Sequence, residues 1–257
     1  MSGFDDPEEI RKAKELAAGP LGDQLAKFPL RFATSAFIAP SRRSLPFKSK
    51  NGTVTLLRLK GNPLGVTCSH VLDGFRSQPA SDKPAFWIGR VQIDPIARLV
   101  SEDNSLDIAV LDLSGLDLSQ ISGGSGIGVD FFDPSRWPPE LPKSGDFVSF
   151  GGFPGTWRDH PKVDEVVFRS FSVGASEVTV ARDDYIVCQF NREYWVSAYG
   201  NNMFDFYELG GMSGGPAFIW RGLQPEFFGI IKEYSPSLDL LYISSVRAIK
   251  EDGSINL

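Results

Sequence analysis

The stretch Gly210-Gly211-Met212-Ser213-Gly214-Gly215-Pro216 decides how this chain is read. Glycines on both sides of a serine permit backbone conformations that a side chain forbids, so amide N–H groups can converge beside the hydroxyl. Converging amides next to a nucleophile are what an oxyanion hole requires. Taken alone, the same residues also make a tight glycine-rich turn.

The histidines narrow the choice. There are two, His70 and His160, and both precede Ser213. Gly211 to Gly215 also satisfies the Gly-x-Ser-x-Gly elbow of α/β-hydrolases, but that family runs nucleophile, acid, histidine. With no histidine after Ser213, the order excludes it. His70 stands in Val66-Thr67-Cys68-Ser69-His70-Val71-Leu72, at the end of an apolar strand and the start of a turn. A lone histidine there is more often structural, satisfying local backbone groups. Asp107 opens the apolar run Ile108-Ala109-Val110-Leu111, where an aspartate can simply start a strand. His160, in Trp157-Arg158-Asp159-His160-Pro161, reads as a surface-loop residue.

Outward from these motifs the pattern is of short strands rich in Val, Ile, Phe, Thr and Leu, cut by Gly, Pro, Asn, Asp and Ser. One group of about six covers 34–38, 53–59, 64–68, 85–93, 97–101 and 108–113. A second covers 146–150, 165–172, 177–181, 185–190, 216–220, 227–232 and 240–244. Between them, Ser114 to Lys143 is loaded with Gly, Pro and Ser and reads as a connector. No helix of crossover length recurs, so antiparallel barrels or sandwiches are preferred over a parallel sheet. Ahead of the strands, Asp6-Pro7-Glu8-Glu9 starts a helix that runs to about Ala18, where Gly19 and Pro20 stop it. A second helical turn or two is expected between Leu21 and Phe28, and a short terminal helix over 245–250.

In their joint order these motifs resemble the trypsin-like peptidases of the chymotrypsin superfamily. Thr67-Cys68-Ser69-His70 is similar to that family's Thr-Ala-Ala-His, Asp107-Ile108-Ala109-Val110 to its Asp-Ile-Ala-Leu, and Gly211-Met212-Ser213-Gly214-Gly215-Pro216 to its Gly-Asp-Ser-Gly-Gly-Pro. Phe228-Gly229-Ile230-Ile231 resembles the strand that lines its substrate pocket. The resemblance implies an all-β fold of two antiparallel six-stranded barrels of chymotrypsin type, with the active site between them and a short N-terminal helix. The expected organisation is an extension over 1–31, a first barrel over 32–125 with His70 and Asp107, a linker over 126–143, and a second barrel over 144–257 with Ser213. It implies a triad of His70, Asp107 and Ser213, an oxyanion hole from the amides of Gly211 and Ser213, and a serine endopeptidase acting through an acyl-enzyme. A catalytically silent binding scaffold and an esterase are the competing readings, since fold alone does not guarantee activity.

The chain also departs from the family. Met212 stands where the digestive members carry an aspartate that pairs with a newly cut N-terminus, and no Ile-Val-Gly-Gly-like site precedes Phe32. Tyr207 occupies the place of the aspartate in members that cleave after Lys or Arg. Tyr207, Glu208, Ile231, Lys232 and Glu233 are the candidates for substrate contact, with Asp205, Tyr194, Trp195, Tyr199, Asn201 and Asn202 as weaker cleft residues.

Composition bounds the partners. The hydrophobic fraction is 42% and the charged fraction 23%, as in ordinary globular proteins. A formal net charge of -6, with Lys and Arg scattered, lacks the footprint of a nucleic-acid binder. No stretch approaches the roughly 18 apolar residues of a membrane span. The acidic N-terminus has no export signal pattern, and two cysteines, Cys68 and Cys188, fall short of a disulfide framework or a metal site. The expectation is a cytoplasmic protein with free thiols, no cofactor and no metal, acting on a protein or peptide substrate, with a protein partner that activates or inhibits it.

Overall fold

Short runs of β-branched and aromatic residues pack best on pleated, half-buried surfaces, and among the described residues strands are the predominant regular element. The computed structural model describes residues 8, 11, 15, 19–39, 50–79, 84–121, 128–162, 165–190, 209–222 and 224–256. Glu8, Arg11 and Glu15 are helical, with Arg11 paired to both carboxylates. Helix α1 (Pro20–Lys27) starts on a proline, and a 3-10 turn (Pro29–Phe32) leads into the first strand. Among the described residues no helix is long and apolar enough to cross a membrane.

The first unit comprises β1 (Ala33–Ala39), β2 (Lys50–Leu59), β3 (Asn62–Thr67), helix α2 (Ser69–Arg76), β4 (Ala85–Ile88), β5 (Val91–Ile93), β6 (Leu99–Asp103) and β7 (Ile108–Asp112). Its strands form one antiparallel sheet in the order β5-β4-β1-β2-β3-β7-β6. This corrects the six-stranded closed barrel expected here. The single strand expected over 85–93 folds back at Gly89, whose φ of 58° is open to glycine, so β4 and β5 pair as a hairpin. The end strands β5 and β6 share no ladder; instead Arg90 N–H donates to the Gln120 carbonyl and the Ser101 hydroxyl to that of Gly253.

The second unit comprises β8 (Phe147–Gly152), β9 (Arg158–Lys162), β10 (Glu165–Phe168), β11 (Phe171–Ala181), β12 (Tyr185–Gln189), β13 (Pro216–Arg221), β14 (Gln224–Ser235) and β15 (Leu240–Ser245). Six of these close a barrel in the order β11-β12-β15-β14-β13-β8, as expected. β9 and β10 form a separate hairpin that takes the first part of the strand expected over 165–172. The terminal helix expected over 245–250 is a 3-10 turn (Val246–Ala248), capped by the Ser245 hydroxyl.

Each unit has its own core, and aromatic rings join the two. Phe218 of β13 and Phe227 of β14 turn away from the barrel interior and pack with Phe32 and Phe132 into the first core, and Phe28 lies edge-on to Phe218 at 5.0 Å. Burying one such ring contributes about 1.5–3 kcal/mol. The connector is tied down rather than loose: Phe132 exchanges backbone hydrogen bonds with Leu56 and Arg58, and Trp137 Nε1 donates to the Ile249 carbonyl.

Candidate active site

His70 lies on α2 rather than in the turn that the sequence suggests. The first amides of a helix have no partner within it, and Asp107 supplies one from β7's N-terminal end. Its Oδ1 accepts from the His70 N–H at 3.0 Å and from the Ser69 hydroxyl at 2.8 Å. Its Oδ2 lies 2.7 Å from His70 Nδ1. Burial pushes the Asp107 pKa up, but the hydrogen bonds from His70 and Ser69 more than offset this and hold it below the usual carboxylate value. Asp107 takes a left-handed φ of 56°, which aspartate tolerates better than most residues. The residue before it is fixed from the second unit, where the Ser244 hydroxyl donates to the Leu106 carbonyl at 2.6 Å. The imidazole is half-exposed.

Helix α2 is clamped at its other end. Arg76 makes a two-pronged pair with Glu102 of β6, at 2.8 and 2.7 Å. The His70 and Asp107 supports are therefore locked together at both ends of one short helix.

Ser213 comes from the second unit on a loop that the first unit grips. The Thr53 N–H donates to the Ser213 carbonyl, the Thr53 hydroxyl to that of Gly211, and the Thr55 hydroxyl to that of Gly214, at 2.9, 2.9 and 2.8 Å. Gly214 has φ 91°, and a Cβ there would stand 2.0 Å from the Thr53 carbonyl oxygen. Only glycine lets the loop approach β2 so closely. Cys68, two residues before His70, donates from Sγ to the Ile231 carbonyl at 3.2 Å, and the same carbonyl accepts from Gly214 N–H. Gly52 marks the gap between α2 and the serine loop: a Cβ there would touch the Val71 methyls at 2.8 and 2.9 Å and the Ser213 carbonyl oxygen at 3.4 Å.

His70 and Asp107 are thus in direct contact, and Ser213 sits on the adjoining loop. Its hydroxyl donates to the Lys232 carbonyl at 3.3 Å, and among the described residues it has no bond to His70. Within the loop, the N–H groups of Met212, Gly214 and Gly215 donate to backbone carbonyls, whereas those of Gly211 and Ser213 donate to none among the described residues. A cavity of about 340 Å³ opens beside Ser213, lined by Leu209, Met212, Ile231, Glu233 and Tyr234 among others. Ile231 and Glu233 of the expected substrate contacts line it; Lys232 offers its carbonyl to Ser213. Tyr207 and Glu208 lie outside the described residues, as do Asp205, Tyr194, Trp195, Tyr199, Asn201 and Asn202, and the side chain of His160 is likewise outside them. Met212 is buried in the second core.

Cys68 Sγ, a His70 nitrogen and an Asp107 oxygen lie within 4.8 Å of one another, a set that could hold a metal ion. Burial, and then the Asp107 charge, push the Cys68 thiol up, so the protonated form that donates to Ile231 is favoured. Cys68 and Cys188 are both free and buried.

The threonines of β2, together with Ser69 and Ser244, are functional neighbours that the sequence reading passed over. Their signal was the alternation Thr53-Val54-Thr55-Leu56, which puts two hydroxyls on one face of a buried strand.

Among solved structures, the chain is similar to the Rv3671c protease of M. tuberculosis in its active form, with 14% identity over 93% of this chain and 82% of that one and a TM-score of 0.45. It is also similar to a serine endoprotease of Yersinia pestis, with 16% identity over 85% of this chain and 61% of that one and a TM-score of 0.43. No protein-family model and no curated protein matches it.

Proposed function

We propose that the chain is a trypsin-like serine endopeptidase that cleaves a protein substrate through His70, Asp107 and Ser213. The observation that carries this is the His70–Asp107 pair at 2.7 Å, its carboxylate fixed by two further donors, beside a glycine loop in which the Gly211 and Ser213 amides have no acceptor among the described residues. Catalysis requires Ser213 Oγ to leave the Lys232 carbonyl for the imidazole when substrate binds, as catalytic hydrogen bonds tighten in the substrate complex. Nε2 of His70 then takes the hydroxyl proton as Oγ attacks the scissile carbonyl, and delivers that proton to the leaving amine. Asp107 holds the proton of Nδ1 and so fixes the tautomer. The Gly211 and Ser213 amides receive the oxyanion, each worth roughly 3 kcal/mol in such sites. Water repeats the sequence on the acyl-enzyme, and no step draws on a cofactor.

The cavity between the serine loop and β14 takes the side chain on the acyl side of the bond. Its Leu209, Met212 and Ile231 walls favour a large apolar group. The two free, buried thiols fit a reducing compartment, which supports an intracellular substrate. The hydrogen bond from Ser213 to Lys232 favours a second reading, a latent form or silent scaffold that an activating partner would rearrange.

Incubation with a peptide library and with small acyl esters separates these readings. Peptide cleavage by wild type and none by Ser213→Ala supports the endopeptidase; ester hydrolysis alone points to an esterase; inactivity on both leaves the scaffold.

A further inference from the structure

Arg158, at the start of β9, carries a charge that no carboxylate among the described residues compensates. Its guanidinium is half-buried, and its Nε is fully buried with no hydrogen-bond partner among those residues. Nη1 lies 3.5 Å from Asn51 Oδ1, at the limit of a hydrogen bond, and Cζ stands 5.9 Å from the centre of the Phe37 ring. Arg76, Arg169 and Arg221 each pair with a carboxylate, but among the described residues none faces Arg158; its neighbour Asp159 is taken by Arg169. Burial accordingly pulls the Arg158 pKa below the usual guanidinium value. A cation withdrawn from water without a counter-ion is costly, and a bound anion removes that cost.

Its position indicates which anion. Asn51 links it to the oxyanion loop: a Cβ on Gly211 would lie 2.2 Å from Asn51 Nδ2, and one on Gly155 would lie 2.4 Å from Oδ1. Arg158 is therefore one side chain away from Gly211, on the flank formed by β1, β2 and β9. The acyl-side cavity is lined instead by the serine loop and β14, with neither Asn51 nor Arg158 among its walls. A peptide whose scissile carbonyl sits between that cavity and this flank leads its leaving-group segment over Asn51 toward Phe37 and Arg158.

We infer that Arg158 binds a carboxylate on the leaving-group side of the cleaved bond, either an Asp or Glu side chain or the free C-terminus of a short peptide product. With Nη1 turned to Asn51 Oδ1 and Phe37 at cation–π range, the guanidinium's remaining N–H donors are free for a two-point contact that Lys cannot reproduce. The inference rests on the site reading proposed above, and its test is arranged so that the two can fail separately.

Fluorescently labelled peptides identical on the acyl side are compared on Ser213→Ala protein by anisotropy, so that no turnover is needed. On the leaving-group side they carry Glu, Gln or Lys in each of the first three positions, or end in a free carboxylate or its amide. A carboxylate is expected to tighten binding about tenfold over its amide, as charge-assisted hydrogen bonds do. Whether Glu or the free terminus gives the larger gain identifies the source of the carboxylate. Adding Arg158→Gln should abolish the difference, while Arg158→Lys keeps part of it; a near-UV circular dichroism spectrum reports whether each variant is folded. Equal binding of carboxylate and amide peptides, or a difference that persists in folded Arg158→Gln, overturns the inference. With the wild-type serine, the same preference should fall on KM rather than kcat. Selective binding with no cleavage of any peptide overturns the endopeptidase reading and leaves the carboxylate site standing.

Discussion

Asp107 concentrates the chemistry of the site in one side chain. It accepts from Ser69, from the His70 amide and from the imidazole, and an amide in its place can keep the shape while forcing the wrong tautomer on His70. Asp107→Asn is expected to lower kcat by about 10⁴-fold with little change in KM, the loss known for such a substitution in a triad. Because the folded-state pKa of Asp107 is depressed, its contribution to stability is present above the unfolded carboxylate value, near 3.9, and is lost as pH falls through the folded value. Acid unfolding followed by fluorescence should therefore show a shallower loss of stability below about pH 4 in Asp107→Asn than in wild type. At this scale the sequence was informative where chemistry is rare: with two histidines, both ahead of Ser213, few arrangements remain. The alternation Thr53-Val54-Thr55 marks one face of β2, but nothing in a hydroxyl's neighbourhood along the chain tells which distant carbonyl Thr55 or Ser244 will meet. Thr55→Val keeps the shape but leaves the buried Gly214 carbonyl unpaired, a cost of about 1–3 kcal/mol that chemical denaturation would read.

The elements divide in the same way. The barrel strands were legible because their alternation and their turn residues agree. Helix α2 was missed because Gly74 interrupts a segment of only eight residues, whose apolar Val71, Leu72 and Phe75 also suit a turn packed on a strand. The extra strand was missed because Gly89 lies inside an apolar run, where a positive φ cannot be read from residue type alone. What holds α2 in place is its tie to β6, and Arg76→Ala removes both prongs of that tie. The pair is partly exposed, so the stability loss should be modest, about 1 kcal/mol. The loss in kcat should be larger in proportion, because the helix carries His70. A thermal midpoint lowered by a few degrees with unchanged kcat would contradict that role for the helix.

Across the whole molecule, the two units share the Phe218 seam, a second aromatic contact between Phe37 and Phe168, and several hydrogen bonds that cross between them. Phe218 belongs by sequence to the second unit and by packing to the first core. Phe218→Ala is expected to cost about 3–5 kcal/mol and to lower the stability of both units in a single transition. Two separated transitions in calorimetry would show that the units fold independently. The division into two strand groups could be seen from the connector's composition, but the seam could not, because Ala217, Phe218 and Ile219 are all apolar and no polar alternation marks which face of β13 meets the barrel and which the first core. The placement of Ser213 depends on that seam and on the grip of β2, which brings a loop of one unit to a helix of the other.

The rate at which a fluorophosphonate acylates Ser213, compared between wild type and His70→Ala, tests most directly whether that juncture makes a nucleophile. Mass spectrometry should find the label on Ser213 alone in wild type, with the rate lowered by about 10³-fold or more in His70→Ala. Absence of label on Ser213, or equal rates in the two proteins, would contradict the account.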